Sequence, residues 1–184
     1  AQKWVALFGK EGGLALLNDS RYSFSAEGSL LRMLAVRSPL FADHGKTQKN
    51  EECRFSDIGV TTFSYALLPF EGEPDKACFA RKALELNSPF EYIFESRHGG
   101  KLPESSAFAR VDADGVIMSV FKPSEDGSGY VVRAYEARGE KTRAKISLDL
   151  LSTELCTEFS PYEIKTLKLD KNGRLEGEIL VTEL

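Results

Sequence analysis

The sequence has few of the side chains on which most catalytic and metal sites are built. It contains two histidines, His44 and His98, each in a polar or glycine-rich stretch, and it has no HExxH motif. A structural role in a loop is therefore favoured over metal ligation for both histidines. There is no GxSxG motif and no glycine-rich phosphate loop, which argues against a hydrolase elbow and a P-loop.

Long apolar runs and clusters of positive charge are absent as well. No stretch is long enough to span a bilayer, so we expect no membrane partner. The formal net charge is -4, with acids and bases interspersed, and we expect no nucleic-acid partner. The first residues lack the regions of a signal peptide and already have a strand pattern, so we expect the chain to begin inside a longer protein.

The three cysteines give an indication of the cellular compartment. Cys53, Cys78 and Cys156 are odd in number and widely spaced, with no CxxC pair. This pattern is typical of free thiols in a reducing environment, and it predicts a cytoplasmic location.

What the sequence does contain is the period of β-strands. KWVALF and LALLN flank a glycine-rich tip and predict a hairpin, and RYSFSA alternates as a half-buried strand does. A further strand is predicted over Ser29–Arg37 and another over TTFSYALLPF. A single short helix is predicted between the start signals at Glu73–Asp75 and the stop signals at Asn87–Pro89.

The second half of the chain repeats the strand pattern after a change of composition. His98–Pro103 resembles a linker, and five or six short strands are predicted beyond it. Asn172 and Gly173 tolerate positive φ and predict a tight hairpin. The predicted fold class is all-β and mainly antiparallel, a β-sandwich with one short helix.

Three polar stretches are candidates for a functional site. The tip Ser124–Gly129 carries two carboxylates but lacks the alternating oxygens of a calcium loop, so a turn is favoured over ion binding. The loop with Asn18, Asp19, Arg21 and Tyr22 has good turn chemistry, yet it also has the groups that bind sugar hydroxyls. The long polar segment Asp43–Ile58 is either functional or mobile, and its role is left open.

Four sequence blocks then resemble one known family. They are GGLALLNDSRYSFSAEGSLLRMLAVRSP, TTFSYALLPFEG, VFKPSEDGSGYVVRAYEARG and FSPYEIKTLKL. In this order they resemble the C-terminal β-region of glycoside hydrolase family 38, the zinc-dependent α-mannosidases. The resemblance extends over almost the whole chain.

The resemblance implies a domain organisation and a parent activity. Residues 1–97 would be the terminal part of the central β-sandwich, of the mutarotase-like supersandwich type, and residues 98–184 a small C-terminal β-sandwich. The parent would hydrolyse α-mannosidic linkages in an N-terminal catalytic domain that holds zinc. The zinc motif of the family is absent here, so we expect no catalytic residue and no metal ligand in this chain, which alone would be inactive.

The resemblance also implies partners and a site. The partners would be the catalytic domain of the same polypeptide and a mannose-containing oligosaccharide, and Asn18, Asp19, Arg21 and Tyr22 would be candidates for the rim of the substrate cleft. Two alternatives remain open. One is a stand-alone carbohydrate-binding module that uses Tyr22, Phe24 or Tyr162, and the other is an oligomerisation module that forms a homo-oligomer.

Overall fold

The structure is a computed structural model, and it describes residues 1–39, 55–101 and 103–179. His44, Cys53 and most of the segment Asp43–Ile58 lie outside the described residues. The chain divides into two compact units. Unit 1 comprises Ala1–Pro74 and Lys82–Phe90, and unit 2 comprises Asp75–Arg81 and Glu91–Leu184.

The strands of unit 1 precede the helix in the chain, and those of unit 2 follow it. The elements are β1 (Trp4–Phe8), β2 (Gly12–Asn18), β3 (Phe24–Glu27), β4 (Leu30–Met33), β5 (Tyr65–Glu71), α1 (Lys76–Asn87), β6 (Arg110–Val111), β7 (Val116–Pro123), β8 (Gly129–Glu136), β9 (Thr142–Leu148), β10 (Thr153–Phe159), β11 (Ile164–Asp170) and β12 (Leu175–Glu178). A 3-10 helix, Asp149–Leu151, connects β9 and β10.

Unit 1 contains an antiparallel sheet in the order β1-β2-β5 and a separate β3-β4 hairpin. The predicted first hairpin is confirmed, with Trp4 opposite Leu17 and Phe8 opposite Gly13. The strand predicted over Ser29–Arg37 is shorter than expected and ends at Met33. Its only partner in the described hairpin is β3, which has four residues, so the pairing stops where β3 ends.

The predicted helix is confirmed as α1, and its start has a clear physical cause. The Asp75 carboxylate accepts hydrogen bonds from the backbone N–H groups of Ala77, at 3.1 Å, and Cys78, at 3.2 Å. These N–H groups have no partner inside the helix, so the side chain caps the first turn. Ala77 and Phe79 are buried, which places the apolar face of the helix inside the fold.

Unit 2 is a β-sandwich, which confirms the predicted fold class. One sheet has the order β12-β11-β8-β7, the other has the order β10-β9-β6, and neighbours in both are antiparallel. The two sheets contribute equally to a continuous apolar core, formed by Val116, Val132, Ala134, Leu167 and Leu169 from the first and Ala144, Ile146, Leu148, Leu155 and Phe159 from the second. Burial of ten such side chains is the main source of stability of the unit.

Unit 2 has one strand more than the sequence predicts. We describe seven strands after the linker, and β10 is the one that sequence reasoning missed. Its inward residues Leu155 and Phe159 are buried, while Glu154, Cys156 and Glu158 are exposed. The alternation was present in the sequence, but only two large apolar residues carry it.

The segment that follows α1 has a different character. Within residues 88–101 and 103–109 the structure has neither helix nor strand. Phe90, Tyr92, Ile93 and Phe94 are 92%, 79%, 88% and 91% exposed, respectively.

No helix in the described ranges is both long enough and apolar enough to cross a membrane.

Candidate functional site

Asn18 lies at the end of β2 and builds the turn that carries the other candidate residues. Its side chain is completely buried. The amide nitrogen donates to the carbonyl of Gln2 at 2.9 Å, and the amide oxygen accepts from the backbone N–H of Arg21 at 2.6 Å. Its own carbonyl accepts from the Asn87 side chain at 3.0 Å. Asn18 therefore fixes the backbone of the loop and does not present its amide to solvent.

Asp19 is held by its neighbour Ser20 and by Ser64, which lies just before β5. Its carboxylate accepts from the hydroxyl of Ser20 at 2.7 Å and from the backbone N–H of Ser64 at 2.8 Å. The hydrogen bond from Ser20 lowers the pKa of Asp19 below its usual value, and burial opposes this only in part. The side chain is thus a fixed anion at neutral pH.

Arg21 stacks on an aromatic ring, and one of its donors lacks an acceptor within the part of the chain that the structure describes. Its guanidinium carbon lies 4.7 Å from the centre of the Phe63 ring, a cation-π contact. Its Nε–H is buried and has no hydrogen-bond partner among the described residues. A guanidinium held in this way has a defined plane, whereas its Nε–H is not accessible to a ligand in this conformation.

A polar cavity lies beside Arg21. Its volume is about 310 Å³, and its lining residues are Arg21, Ala35, Val36, Arg37, Asp57 and Thr61. Asp57 has φ 55, a conformation that a non-glycine residue adopts rarely. Within the part of the chain that the structure describes, no ion pair joins Asp57 to either arginine.

Tyr22 is 60% exposed and completes the set of predicted residues. The structure thus combines a buried amide that shapes the loop, a fixed carboxylate, a stacked guanidinium and an exposed phenol. Carboxylates, guanidinium groups and phenols bind the hydroxyl groups of sugars. Whether this loop lies at a substrate cleft stays a prediction.

The acidic tip between β7 and β8 is a turn whose aspartate already has protein donors. Asp126 accepts from the hydroxyl of Ser124 at 2.7 Å, the backbone N–H of Ser128 at 2.8 Å and the ammonium group of Lys168 at 3.1 Å. The hydrogen bonds from Ser128 and then Ser124 hold the pKa of Asp126 far below its usual range. Gly127 has φ 66 and allows the chain to reverse.

A buried glutamate at the end of β8 is the strongest polar centre that sequence reasoning missed. Glu136 is 1% exposed. Its carboxylate accepts from the backbone N–H groups of Arg138 and Gly139, both at 2.7 Å, of Glu140 at 3.2 Å and of Tyr162 at 3.0 Å. Burial acts to raise the pKa of Glu136, but these backbone donors outweigh it and the pKa is lowered. A glutamate that ends an apolar strand gives no sequence signal of such a role.

The two turns whose backbone N–H groups donate to Glu136 also contact the start of α1, within unit 2. The Arg138 guanidinium forms an ion pair with Asp75, with Nη2 at 2.9 Å from Oδ2. The Lys76 ammonium group donates to the Tyr162 hydroxyl at 2.5 Å and lies 5.2 Å from the centre of its ring. These contacts connect the helix start to two turns of the sandwich, which is a structural role.

The described residues offer no zinc site of the kind that the family resemblance implies for the catalytic domain of the parent. Over the described ranges there is no group of three or more His, Cys, Asp or Glu side chains that could hold a metal ion. His98 is exposed, and its Nε2 lies 3.9 Å from the Glu95 carboxylate. Cys78 and Cys156 are free thiols.

Comparison with protein families and curated proteins identifies relatives. Residues 115–167 match the family described as the glycosyl hydrolases family 38 C-terminal beta sandwich domain. Alpha-mannosidase G of Dictyostelium discoideum is 29% identical over 151 residues, which cover 81% of this chain and 13% of that protein. Alpha-mannosidase 2C1 of Homo sapiens is 30% identical over 153 residues, covering 82% of this chain and 14% of that protein.

Comparison with solved structures supports the fold. The crystal structure of an alpha-mannosidase from Enterococcus faecalis V583 matches 91% of this chain and 21% of that chain, with a TM-score of 0.69 and 17% identity. The chain therefore spans less than a quarter of the length of each of these relatives. The similarity concerns a small portion of much longer proteins.

Proposed function

We propose that the chain is the non-catalytic C-terminal part of an α-mannosidase of glycoside hydrolase family 38, the family whose C-terminal β-sandwich domain residues 115–167 match. The parent would hydrolyse α-mannosidic linkages with a zinc ion held in a separate N-terminal domain. The observation that carries the proposal is the family match over residues 115–167, combined with curated relatives aligned to more than four-fifths of the chain.

Within the parent this region would support the catalytic domain. Its own polar centres are used to build turns: Glu136 binds four backbone N–H groups, and Asp126 binds three donors of the sandwich. Carboxylates saturated in this way are poorly suited to act as the acid and the nucleophile of a glycosidase, since both roles need a group that faces the substrate.

The loop after β2 would contribute to the rim of the substrate cleft. Asp19, Arg21 and Tyr22 provide the groups that would face the sugar, and buried Asn18 would position them. The fixed charge of Asp19 supports this role, because its carboxylate is ionised and is already held in place by Ser20 and Ser64.

Hydrolysis of an aryl α-mannoside tests the main proposal. The complete gene product should hydrolyse it in a chelator-sensitive reaction, whereas residues 1–184 alone should show no turnover. In the complete protein, Asp19→Asn and Tyr22→Phe should raise KM, while Glu27→Gln on the exposed β3-β4 hairpin should leave it unchanged. Chelator-sensitive turnover by residues 1–184 alone would refute the non-catalytic role.

A carbohydrate-binding role without the catalytic domain is the second candidate, and the exposure of two aromatic residues favours it. Tyr22 is 60% and Tyr162 57% exposed. Titration of residues 1–184 with mannose oligosaccharides separates the two proposals. Saturable binding that Tyr22→Ala removes would support a binding module. If no saturable binding is observed, the supporting role within a larger enzyme is favoured.

The cytoplasmic location, like the domain boundary between residues 97 and 98, stays a prediction.

A further inference from the structure

The antiparallel sheet of unit 1 is apolar on both of its faces. Strands β1, β2 and β5 together contain a single charged residue, Glu71, which is the last residue of β5. A sheet with one face in a core and the other in water alternates apolar and polar residues along each strand, whereas strands covered on both faces are continuously apolar. The sequence of this sheet is therefore typical of strands that are covered on both faces.

Only one of the two faces is buried in the structure. Ala15 and Leu17 of β2 are buried and mark that face. Strand pairing places six apolar residues on the opposite face, here called the Leu67 face: Val5, Leu7, Leu14, Leu16, Tyr65 and Leu67. None of these six is buried, and Tyr65 and Leu67 are 57% and 55% exposed. A contiguous exposed apolar surface of this kind marks an interaction site.

At one end the Leu67 face borders an apolar cavity. The volume of the cavity is about 590 Å³, and it is lined by Leu7 and Leu14 of the Leu67 face together with Leu30 and Leu31 of β4. The cavity lies entirely within unit 1. A partner that covers the face therefore has a pocket in which to insert large apolar side chains, and such buried anchors contribute most of the binding energy of an interface.

The remaining polypeptide of the proposed parent is the occupant that these observations favour. The curated relatives align with more than four-fifths of this chain, but the aligned part is only 13% and 14% of their own lengths. Most of a parent of that length lies outside the 184 residues. A surface of the same polypeptide meets the Leu67 face at a high effective concentration, whereas a second copy of the chain must be recruited from solution.

We propose that the Leu67 face is the surface on which an apolar part of the remaining parent polypeptide docks, with its large side chains inserted in the cavity beside Leu30. The inference rests on the proposed function, because it requires a longer protein. It adds to that function the surface through which unit 1 supports the rest of the enzyme. It does not require the loop after β2 to contact a substrate.

The rate at which a cysteine is alkylated measures whether the Leu67 face is covered. Leu67→Cys is treated with N-ethylmaleimide in residues 1–184 and in the complete gene product, and peptide mass spectrometry distinguishes it from the native cysteines. We expect the rate in the complete protein to be about 100-fold or more below the rate in residues 1–184. Leu17→Cys, on the buried face of the same sheet, is the matched control and should react slowly in both proteins.

Two results of this experiment would overturn the proposal. One is fast alkylation of Leu67→Cys in the complete protein. The other is slow alkylation in residues 1–184, because the face would then be covered within this chain. A complete protein that hydrolyses an aryl α-mannoside but leaves Leu67→Cys reactive would refute the docking surface alone. A complete protein that protects Leu67→Cys without such hydrolysis would refute the proposed activity alone.

A charge placed on the Leu67 face gives a second, independent measurement. Leu67→Glu should leave the melting temperature of residues 1–184 within about 2 °C of the wild type, because an exposed carboxylate stays hydrated. In the complete protein the carboxylate would be buried without a partner, and the melting temperature should fall by about 5 °C or more. An equal fall in both proteins, or none in either, would contradict the proposal.

Sedimentation velocity distinguishes the second possible occupant. Residues 1–184 should sediment as a monomer over a dilution series at micromolar concentrations, with and without Leu67→Glu. If the chain forms a dimer that Leu67→Glu dissociates, the occupant of the Leu67 face is a second copy of the chain and the proposal is wrong.

Discussion

Glu136 is the residue on which the end of β8 depends. Four backbone N–H groups from two separate turns donate to its carboxylate, so one side chain replaces the partners that these turns do not have within the sheets. Buried backbone donors are almost always satisfied in folded proteins. The arrangement resembles a helix cap in its chemistry, although it joins the strand ends of a sandwich.

Replacement of Glu136 by glutamine should destabilise the protein strongly. The amide keeps one acceptor oxygen but directs an NH2 group at backbone donors, so we expect a loss of about 2–4 kcal/mol in the free energy of unfolding. Thermal unfolding followed by circular dichroism measures this loss. Glu140→Gln, at an exposed position in the same turn, is the matched control and should be close to neutral.

The pH dependence of the wild type should show the same interaction. Because the pKa of Glu136 is lower in the folded state than its ordinary value of 4.5, its contribution to stability is complete above pH 4.5 and is lost as the pH falls through the folded-state value. In Glu136→Gln this part of the acid dependence should be absent. An unchanged acid profile would contradict the assignment.

Gly129 is required for close packing at the start of β8. A Cβ at this position would overlap the carbonyl oxygen of Leu169 in the neighbouring strand. Gly129→Ala should therefore destabilise unit 2 by about 2 kcal/mol or more, since backbone atoms cannot move aside as a side chain does. Gly177→Ala, in β12 of the same sheet and with open space at the Cβ position, should change the melting temperature little. If the two substitutions had equal effects, the backbone near Leu169 would have moved to accommodate the added Cβ, and the prediction would be wrong.

At the scale of elements, local chemistry accounts for what could be predicted from the sequence. The hairpins β1-β2 and β11-β12 are formed by turn residues close in sequence, and the Asp170 carboxylate accepts from the backbone N–H groups of Asn172 and Arg174. Strand β10 was missed because Thr157 separates its two buried residues, Leu155 and Phe159. Leu155 and Phe159 are buried because they pack in the core between the two sheets of unit 2, and this packing cannot be predicted from the local sequence pattern.

The start of α1 depends on a single carboxylate with two functions. Asp75→Ala should lower the free energy of unfolding by about 1–2 kcal/mol through loss of the cap alone, and further through loss of the Arg138 ion pair. Asp75→Asn can still cap the helix and should have a smaller effect. Glu73→Ala, an exposed acidic residue just before the helix, is the control, and thermal unfolding is the measurement. If Asp75→Asn cost as much as Asp75→Ala, the ion pair and not the cap would dominate.

At the scale of the whole molecule, the order of strands in the sheets and the composition of the cavity could not be predicted. Strand β11 lies between β8 and β12, and the pairing of Asp170 with Gly129 joins residues far apart in sequence. The same holds for Arg21 and Asp57, which the fold brings to one cavity. Periodicity identifies strands but does not identify their partners, because pairing depends on the global packing.

Limited proteolysis tests the predicted boundary between residues 97 and 98. Trypsin should cut after Arg97 and Lys101 sooner than after Arg143 or Lys145, because the first two lie in exposed chain without strand or helix and the others lie in β9. Mass spectrometry of early fragments identifies the sites. In a variant with Arg97→Gln and Lys101→Gln these early fragments should disappear. Cleavage in β9 that is equally fast would contradict a folded unit 2.

The segment Phe90–Phe94 has a practical consequence for anyone who isolates this chain. Four large apolar side chains there are between 79% and 92% exposed, and contiguous exposure of that kind is rare in proteins that exist alone. The isolated polypeptide should bind tightly to a phenyl chromatography resin and should be a client of cellular chaperones. The complete α-mannosidase that we propose as the parent would cover this stretch, and it should therefore be retained only weakly by the same resin.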